Sequence, residues 1–385
     1  MRAVRGPAAA SSTVASAIAM TQRAPARVGA GAAVLALGVL LAACAAPAPR
    51  VLHFGMEDAP EGRRLMWPAA PEVPRFMFAG QLVGESNFVR TPAEAEGVGG
   101  LLRRIAALVV GDQPPTVLQR PQSGTVDAAG RILVTDASRQ AVFVFDPVAG
   151  ELQVWDKAEG LANFVTPIGI ATGADGQILV ADAQLGIVAR LDARGNPGRA
   201  IGRGVLKRPT GLAYDAVHKR IFVADTHLHD IKVFDDDGQL LKVIGRQGDA
   251  AGEFNFPTFL AFARNELYVA DTMNSRIQVF ADGGDRWRSS FGRRGLFVGN
   301  LVRPKGITVD SDGNIYVVES YHDHLLVFNH DGDFLMAIGG LGQETGRFYL
   351  PAGAWADSHN RVFVADMFNG RVVVFQYLET GGDGG

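Results

Sequence analysis

The chain has 385 residues, 47% of them hydrophobic and 20% charged, ample to bury a globular core. Its formal net charge of −3 excludes a whole-surface basic field of the kind that grips nucleic acid. One cysteine, Cys44, excludes a disulfide within the chain, so packing and strand ladders must hold the fold.

No Asp or Glu precedes Glu57, whereas Arg2, Arg5, Arg23 and Arg27 do. The apolar run from Val28 to Ala43 is shorter than the roughly 20 residues a membrane span needs. A basic flank, a short apolar stretch and small residues at its end predict a signal peptide over 1–43. The run closes on Leu41-Ala42-Ala43-Cys44, which resembles the bacterial lipobox. That resemblance implies an exported protein held to a lipid bilayer by an acylated Cys44; a plain secretory signal is the alternative. Ala45, where an Asp would favour the inner membrane, points to the periplasmic side of the outer membrane. Translation from Met20 rather than Met1 would leave the same mature chain. Residues 44–74, rich in Pro and Ala, are expected to form a tether, and 379–385 a flexible Gly-rich tail.

The folded domain is expected over 75–378. Within it, Thr91-Pro92-Ala93-Glu94 reads as a capping box with Pro at the first helical position. Leu101, Leu102, Ile105, Ala106, Leu108 and Val109 continue as an apolar helical stripe, so a helical insert is expected at about 91–111. It either packs on the domain or docks a partner.

From about residue 120 the chain repeats. Short apolar runs end in an acid at Asp136, Asp182, Asp225, Asp271, Glu319 and Asp366, with spacings of 46, 43, 46, 48 and 47. Nine residues beyond each lies Phe145, Leu191, Phe234, Phe280, Phe328 or Phe375. Gly, Asp and Asn turns separate the runs, which is the strand signal. In the third unit strands are expected at Gly211–Tyr214, Arg220–Ala224, Ile231–Phe234 and Leu240–Ile244. Four strands in about 45 residues make one propeller blade.

The sixth unit stops after its third strand, and Arg75–Phe88 echoes the fourth strand and exit loop seen at 242–254. The expected fold is all-β, a six-bladed propeller whose ring is closed by an N-terminal strand in the last blade, pairing edges otherwise exposed.

The repeated acids invite a metal-ring reading. At equivalent turns they are better read as structural, accepting hydrogen bonds from backbone N–H groups and fixing the hairpin between the second and third strands. Asp127, Asp215, Asp310 and Asp357 read the same way. His227, His229, His322 and His324 sit in two such hairpins and are candidate zinc or copper ligands, or exposed loop histidines. Their units are separated by a whole blade. Arg276, Arg371 and Arg139 place guanidinium groups on the hairpin end, where they bind a carboxylate-bearing partner or bridge blades. Arg286, Trp287, Arg288, Arg293 and Arg294 form the nearest approach to a basic patch. They are read as solvated loop charges, and no nucleic-acid partner is expected.

Arg208-Pro209-Thr210-Gly211, Arg303-Pro304-Lys305-Gly306 and Asp271-Thr272-Met273-Asn274-Ser275-Arg276 resemble the words of the NHL-repeat family. The resemblance, over about 76–378, implies the propeller fold. Amidating lyases of this type hold a central zinc through histidines directly after the strand-opening proline. Here those positions are Ile168, Thr210, Thr258, Lys305 and Ala352, and only His229 falls near a ligand position. Lactonases of similar fold hold channel calcium through Glu, Asn and Asp. No Gly-x-Ser-x-Gly, phosphate loop or paired-Cys motif occurs. The function expected is a non-enzymatic binding or scaffold module for an envelope protein, peptide or glycan. The alternative is a metal-dependent lyase or hydrolase at the channel mouth. No cofactor is expected, though the alternative would need a bound Zn or Ca ion.

Overall fold

The computed structural model describes residues 50–55, 65–90 and 114–378. The signal peptide, the lipidation site Cys44, the helical insert at about 91–111 and the tail that the sequence leads one to expect all fall outside the described residues. Among these residues, no helix is long and apolar enough to cross a membrane.

Six antiparallel sheets follow one another around a ring. Blade 1 is Pro121–Val126, Ile132–Asp136, Ala141–Asp146 and Glu151–Trp155; the four strands are lettered a to d from the axis outward. Blade 3 (Pro209–Asp215, Arg220–Asp225, Asp230–Asp235, Leu240–Ile244) has the four strands expected, the first opening two residues earlier, at Pro209. Blades 4 and 5 open at Pro257 and Pro304 and are likewise four-stranded. Blade 2 keeps three strands, Pro167–Thr172, Ile178–Asp182 and Ile187–Leu191. Its fourth is reduced to the bridges Val188–Ile201 and Leu191–Pro197, because Pro197 has no N–H to donate.

Blade 6 closes the ring. Strands a to c are Ala354–Ala356, Arg361–Asp366 and Arg371–Tyr377, and Phe76–Leu82 supplies the outer strand, in register from Val372–Leu82 to Tyr377–Phe76. Two further pieces of the 44–74 stretch are docked: Met66–Trp67 adds a fifth strand to blade 6, and Arg50–Leu52 pairs with Phe88–Arg90. Trp67 stacks edge-on against Phe375 at 5.4 Å, and Leu52 and Phe54 pack on the core between blades 6 and 1. These large side chains have apolar surface to bury, unlike the Ala and Pro around them.

The core is divided into six clusters, each between two successive blades. This is why second strands such as Ile132–Asp136 are buried on both faces and read as continuous apolar runs. The repeating residues Phe145, Leu191, Phe234, Phe280, Phe328 and Phe375 are all buried in these clusters. The first strands touch in a closed circle, blade 6 meeting blade 1. Gly169 and Gly211 sit at the tightest approach: a Cβ there would lie 2.1 Å from the Thr210 carbonyl oxygen and 2.4 Å from that of Thr258. Threonines stitch the ring. Thr135, Thr210 and Thr272 hydroxyls donate to the carbonyls of Ile168, Thr258 and Pro304 in the next blade, at 2.6, 2.9 and 2.8 Å.

Candidate functional site: the hairpin end of the channel

Antiparallel pairing sorts the loops onto two faces. Strand a begins where strand b ends, so the b–c hairpins and the connections between blades share one face, the hairpin face. The a–b and c–d turns lie on the other, the turn face. A cavity of about 310 Å³ runs along the axis, lined by first strands of all six blades, including Gly124, Gly169, Leu212, Leu260, Ile307 and Trp355.

The six repeated acids build the hairpin face. All are fully buried. Asp136 accepts from the N–H groups of Gln119 and Arg120 through one oxygen and those of Ser138 and Arg139 through the other. Asp182 repeats this with Val165, Thr166, Gln184 and Leu185. Asp225 takes the N–H groups of Lys207 and Arg208, and Glu319 those of Arg303 and His322. Asp271 and Asp366 each accept one connector N–H, from Asn255 and Tyr349. Each acid thus clamps the incoming connector to its hairpin. Burial pushes the Asp366 carboxyl up, against the pull of its donors Tyr349, Asn369 and Arg371.

The arginines singled out from sequence divide differently. Arg276 Nε meets Asp271 at 2.8 Å while Nη2 donates to the Ala250 and Glu253 carbonyls. Arg371 Nε meets Asp366 at 2.8 Å, and its other nitrogens donate to Gln81, Glu344 and Arg347. Arg139 Nε donates to the Val117 carbonyl. The chain's own acceptors engage all three, because each sits beside a hairpin acid or a connector carbonyl. Arg286 and Arg288 pair with Asp282 and Glu266 at the turn end of strand Arg286–Phe291, while Arg293 and Arg294 follow its other end, so the five do not form one patch.

The four histidines do not converge on one site; only His322 and His324 share a hollow. His229 Nδ1 accepts the Phe256 N–H at 3.1 Å, its ring packed on Phe256. His322 Nδ1 lies 3.0 Å from Glu319. His324 is half-buried, and that burial lowers its pKa. His227 lines a separate hollow of about 440 Å³ with Lys207 and Arg208. Among the described residues, no three His, Cys, Asp or Glu side chains are grouped to hold a metal ion.

Sequence reasoning passed over the cations around the channel mouth. Arg120, Arg208 and Arg303 each precede the proline that opens strand a. Their N–H groups are held by the buried acids and their side chains are exposed. Lys305 follows one residue inside, half-buried; burial lowers its pKa first, then the charges of Arg303 and Arg120. Among the described residues none of these four side chains meets a carboxylate, and Arg120 lies over the Phe368 ring at 5.4 Å. The signal was the repeated Arg-Pro, three times in six units.

Apolar side chains share the face. Leu296, Phe297 and Val298, in the connector to blade 5, are 86, 81 and 61% exposed. Leu296 separates two hollows. One, of about 470 Å³, is lined by Met273, Arg294, Leu296, Val302, Arg303 and Tyr321; the other, of about 410 Å³, reaches His322, His324, Leu341 and Arg347. The turn face differs. The carboxylates that open its a–b turns are engaged within their own repeats: Asp127 with Ala129 and Arg131, Asp310 with Asn314 and Tyr316, Asp357 with His359 and Arg361.

Comparison with known proteins agrees with this architecture. The model of DUF5128, described as a 6-bladed beta-propeller family, matches residues 213–285 and 300–381. "Protein brain tumor" of Drosophila melanogaster is 32% identical over 139 residues, 35% of this chain and 13% of that protein. The peptidyl-glycine alpha-amidating monooxygenase of Mus musculus is 28% identical over 156 residues, 36% of this chain and 16% of its own length. The chain therefore spans less than a fifth of either relative. Among solved structures, a streptogramin B lyase superposes with a TM-score of 0.52 at 13% identity, over 68% of this chain and 94% of that one, a likeness of fold alone. The chain is a six-bladed β-propeller with homology to NHL-repeat proteins.

Proposed function

We propose that the protein is an envelope lipoprotein, anchored through an acylated Cys44 on the periplasmic side of the outer membrane. Its propeller serves as a non-enzymatic binding or scaffold module for a protein, peptide or glycan. One observation carries the binding reading: cations that meet no carboxylate among the described residues and large exposed apolar side chains gather on the hairpin face, around the channel mouth. A surface of that kind marks an interaction site. The chain enters the domain at Arg50, whose backbone lies against Gly150 in a turn-face loop.

Site-specific photocrosslinking in cells tests the reading. A crosslinker at Met273 or Tyr321 should give a discrete adduct, and one at Val148 or Val217, which are more exposed but on the turn face, should not. Adducts of the same pattern from both faces would refute it. Cys44→Ser should move the protein from the membrane to the soluble fraction; unchanged partition would remove the anchor. A metal-dependent lyase or hydrolase has less support: His322 and His324 share one hollow, but His227 lines another, His229 is held by the Phe256 N–H, and no three such ligands are grouped among the described residues.

A further inference from the structure

Three features meet where blades 4 and 5 join at the channel mouth. Arg303 belongs to both neighbourhoods: it lines the 470 Å³ hollow with Met273, Leu296 and Tyr321, and it precedes the strand that carries Lys305. Lys305 is recessed, and Arg120, Arg208 and Arg303 precede the first strands of blades 1, 3 and 5, so the cations ring the mouth rather than lie in a line. Their main chains are pinned by Glu319 and Asp136, which preorganises the site before any ligand arrives.

We propose that this mouth binds an acidic peptide segment, seating a carboxylate between Arg303 and Lys305 and an apolar side chain in the hollow beside Leu296. The inference rests on the binding-module reading and names its ligand. Charge complementarity selects the carboxylate: guanidinium and ammonium groups without a partner recover charge-assisted hydrogen bonds there. The hollow selects an apolar neighbour, with Tyr321 and Met273 as adaptable walls. A flat bilayer cannot reach a recessed lysine, although the exposed Phe297 beside Arg294 could touch one. A polynucleotide needs a continuous cationic track, and here apolar side chains interrupt the cations.

Selection from a random peptide display library on the soluble form beginning at Ala45 tests this. Recovered peptides should combine Glu or Asp with one large apolar residue. Arg303→Gln and Lys305→Met should each weaken their binding about tenfold, with melting curves showing both variants folded. Arg194→Gln, on the turn face, should leave binding unchanged. Recovery of neutral or basic peptides, or binding indifferent to both mouth substitutions, would overturn the proposal. So would displacement of the peptides by anionic phosphatidylglycerol vesicles or a poly(dT) oligonucleotide at comparable affinity. If the hairpin face crosslinks in cells but selects no acidic peptides, this site fails alone. If neither occurs, the binding-module reading fails with it.

Discussion

The two faces of the ring use charge in opposite ways. On the turn face, carboxylates such as Asp127, Asp310 and Asp357 sit at the tight turns and accept hydrogen bonds from the N–H groups they face. On the hairpin face the six repeated carboxylates are buried as clamps, and Arg120, Arg208 and Arg303 stand exposed beside them with the half-buried Lys305. The same element, an acid that orders a loop, is accompanied on one side by arginines that pair with it and on the other by four cations that, among the described residues, meet no carboxylate. What decides is the next residue outward. Behind turn-face acids such as Asp127 and Asp357 come the partners Arg131 and Arg361 at 2.6 Å, and in three of the six blades the connector clamped by the hairpin acid carries an exposed Arg before Pro.

Breaking a hairpin clamp should have the largest effect. Asp271→Ala leaves the Asn255 N–H, Asn274, Arg276 and Gln278 without their acceptor, and should cost about 3 kcal/mol by chemical denaturation. The turn-face counterpart Asp310→Ala frees the Asn314 N–H and the Tyr316 hydroxyl, and should cost about 2 kcal/mol, because part of that turn faces water. A reversed order would break the comparison.

Lys305→Met sharpens it with the opposite sign. Burial, then Arg303 and Arg120, hold the folded-state pKa of Lys305 below its usual 10.5. Below the folded pKa both states carry the charge, and the cost of burying it is present in full. As pH rises from the folded value toward 10.5, the native state sheds its proton first and that cost is relieved. Lys305→Met should therefore raise the melting temperature below the folded pKa by roughly 2 °C, on the order of 1 kcal/mol. Its advantage should shrink as pH climbs toward 10.5. A loss of stability would mean that the ammonium has a partner in the fold. The smallest effect belongs to Asp237→Asn, an exposed turn-face substitution expected within about 0.5 kcal/mol of no change.

The fold was legible because each blade repeats the same physical constraints. Asp136 to Asp366 recur at nearly fixed spacing because every hairpin needs the same clamp, and Phe76–Leu82 was recognisable because the sixth unit lacked an outer strand. Met66–Trp67 and Arg50–Leu52 were not: two or three residues among Pro and Ala carry no period, and tertiary contacts alone make them strands. The site was half legible. Arg276, Arg371 and Arg139 were conspicuous in the hairpins, yet which acceptor each one meets depends on the neighbouring connector, which spacing does not reveal. Lys305 and Arg303 stood in the repeated words themselves. Their availability emerges only from the structure, where among the described residues neither side chain meets a carboxylate.

Arginine labelling with phenylglyoxal, read residue by residue by mass spectrometry on the folded protein, tests that division most directly. Arg120, Arg208 and Arg303 should react quickly, and Arg276, Arg371 and Arg361 slowly. Equal rates across the two sets, or protection of Arg303, would contradict the account of a hairpin face left open for an anionic partner.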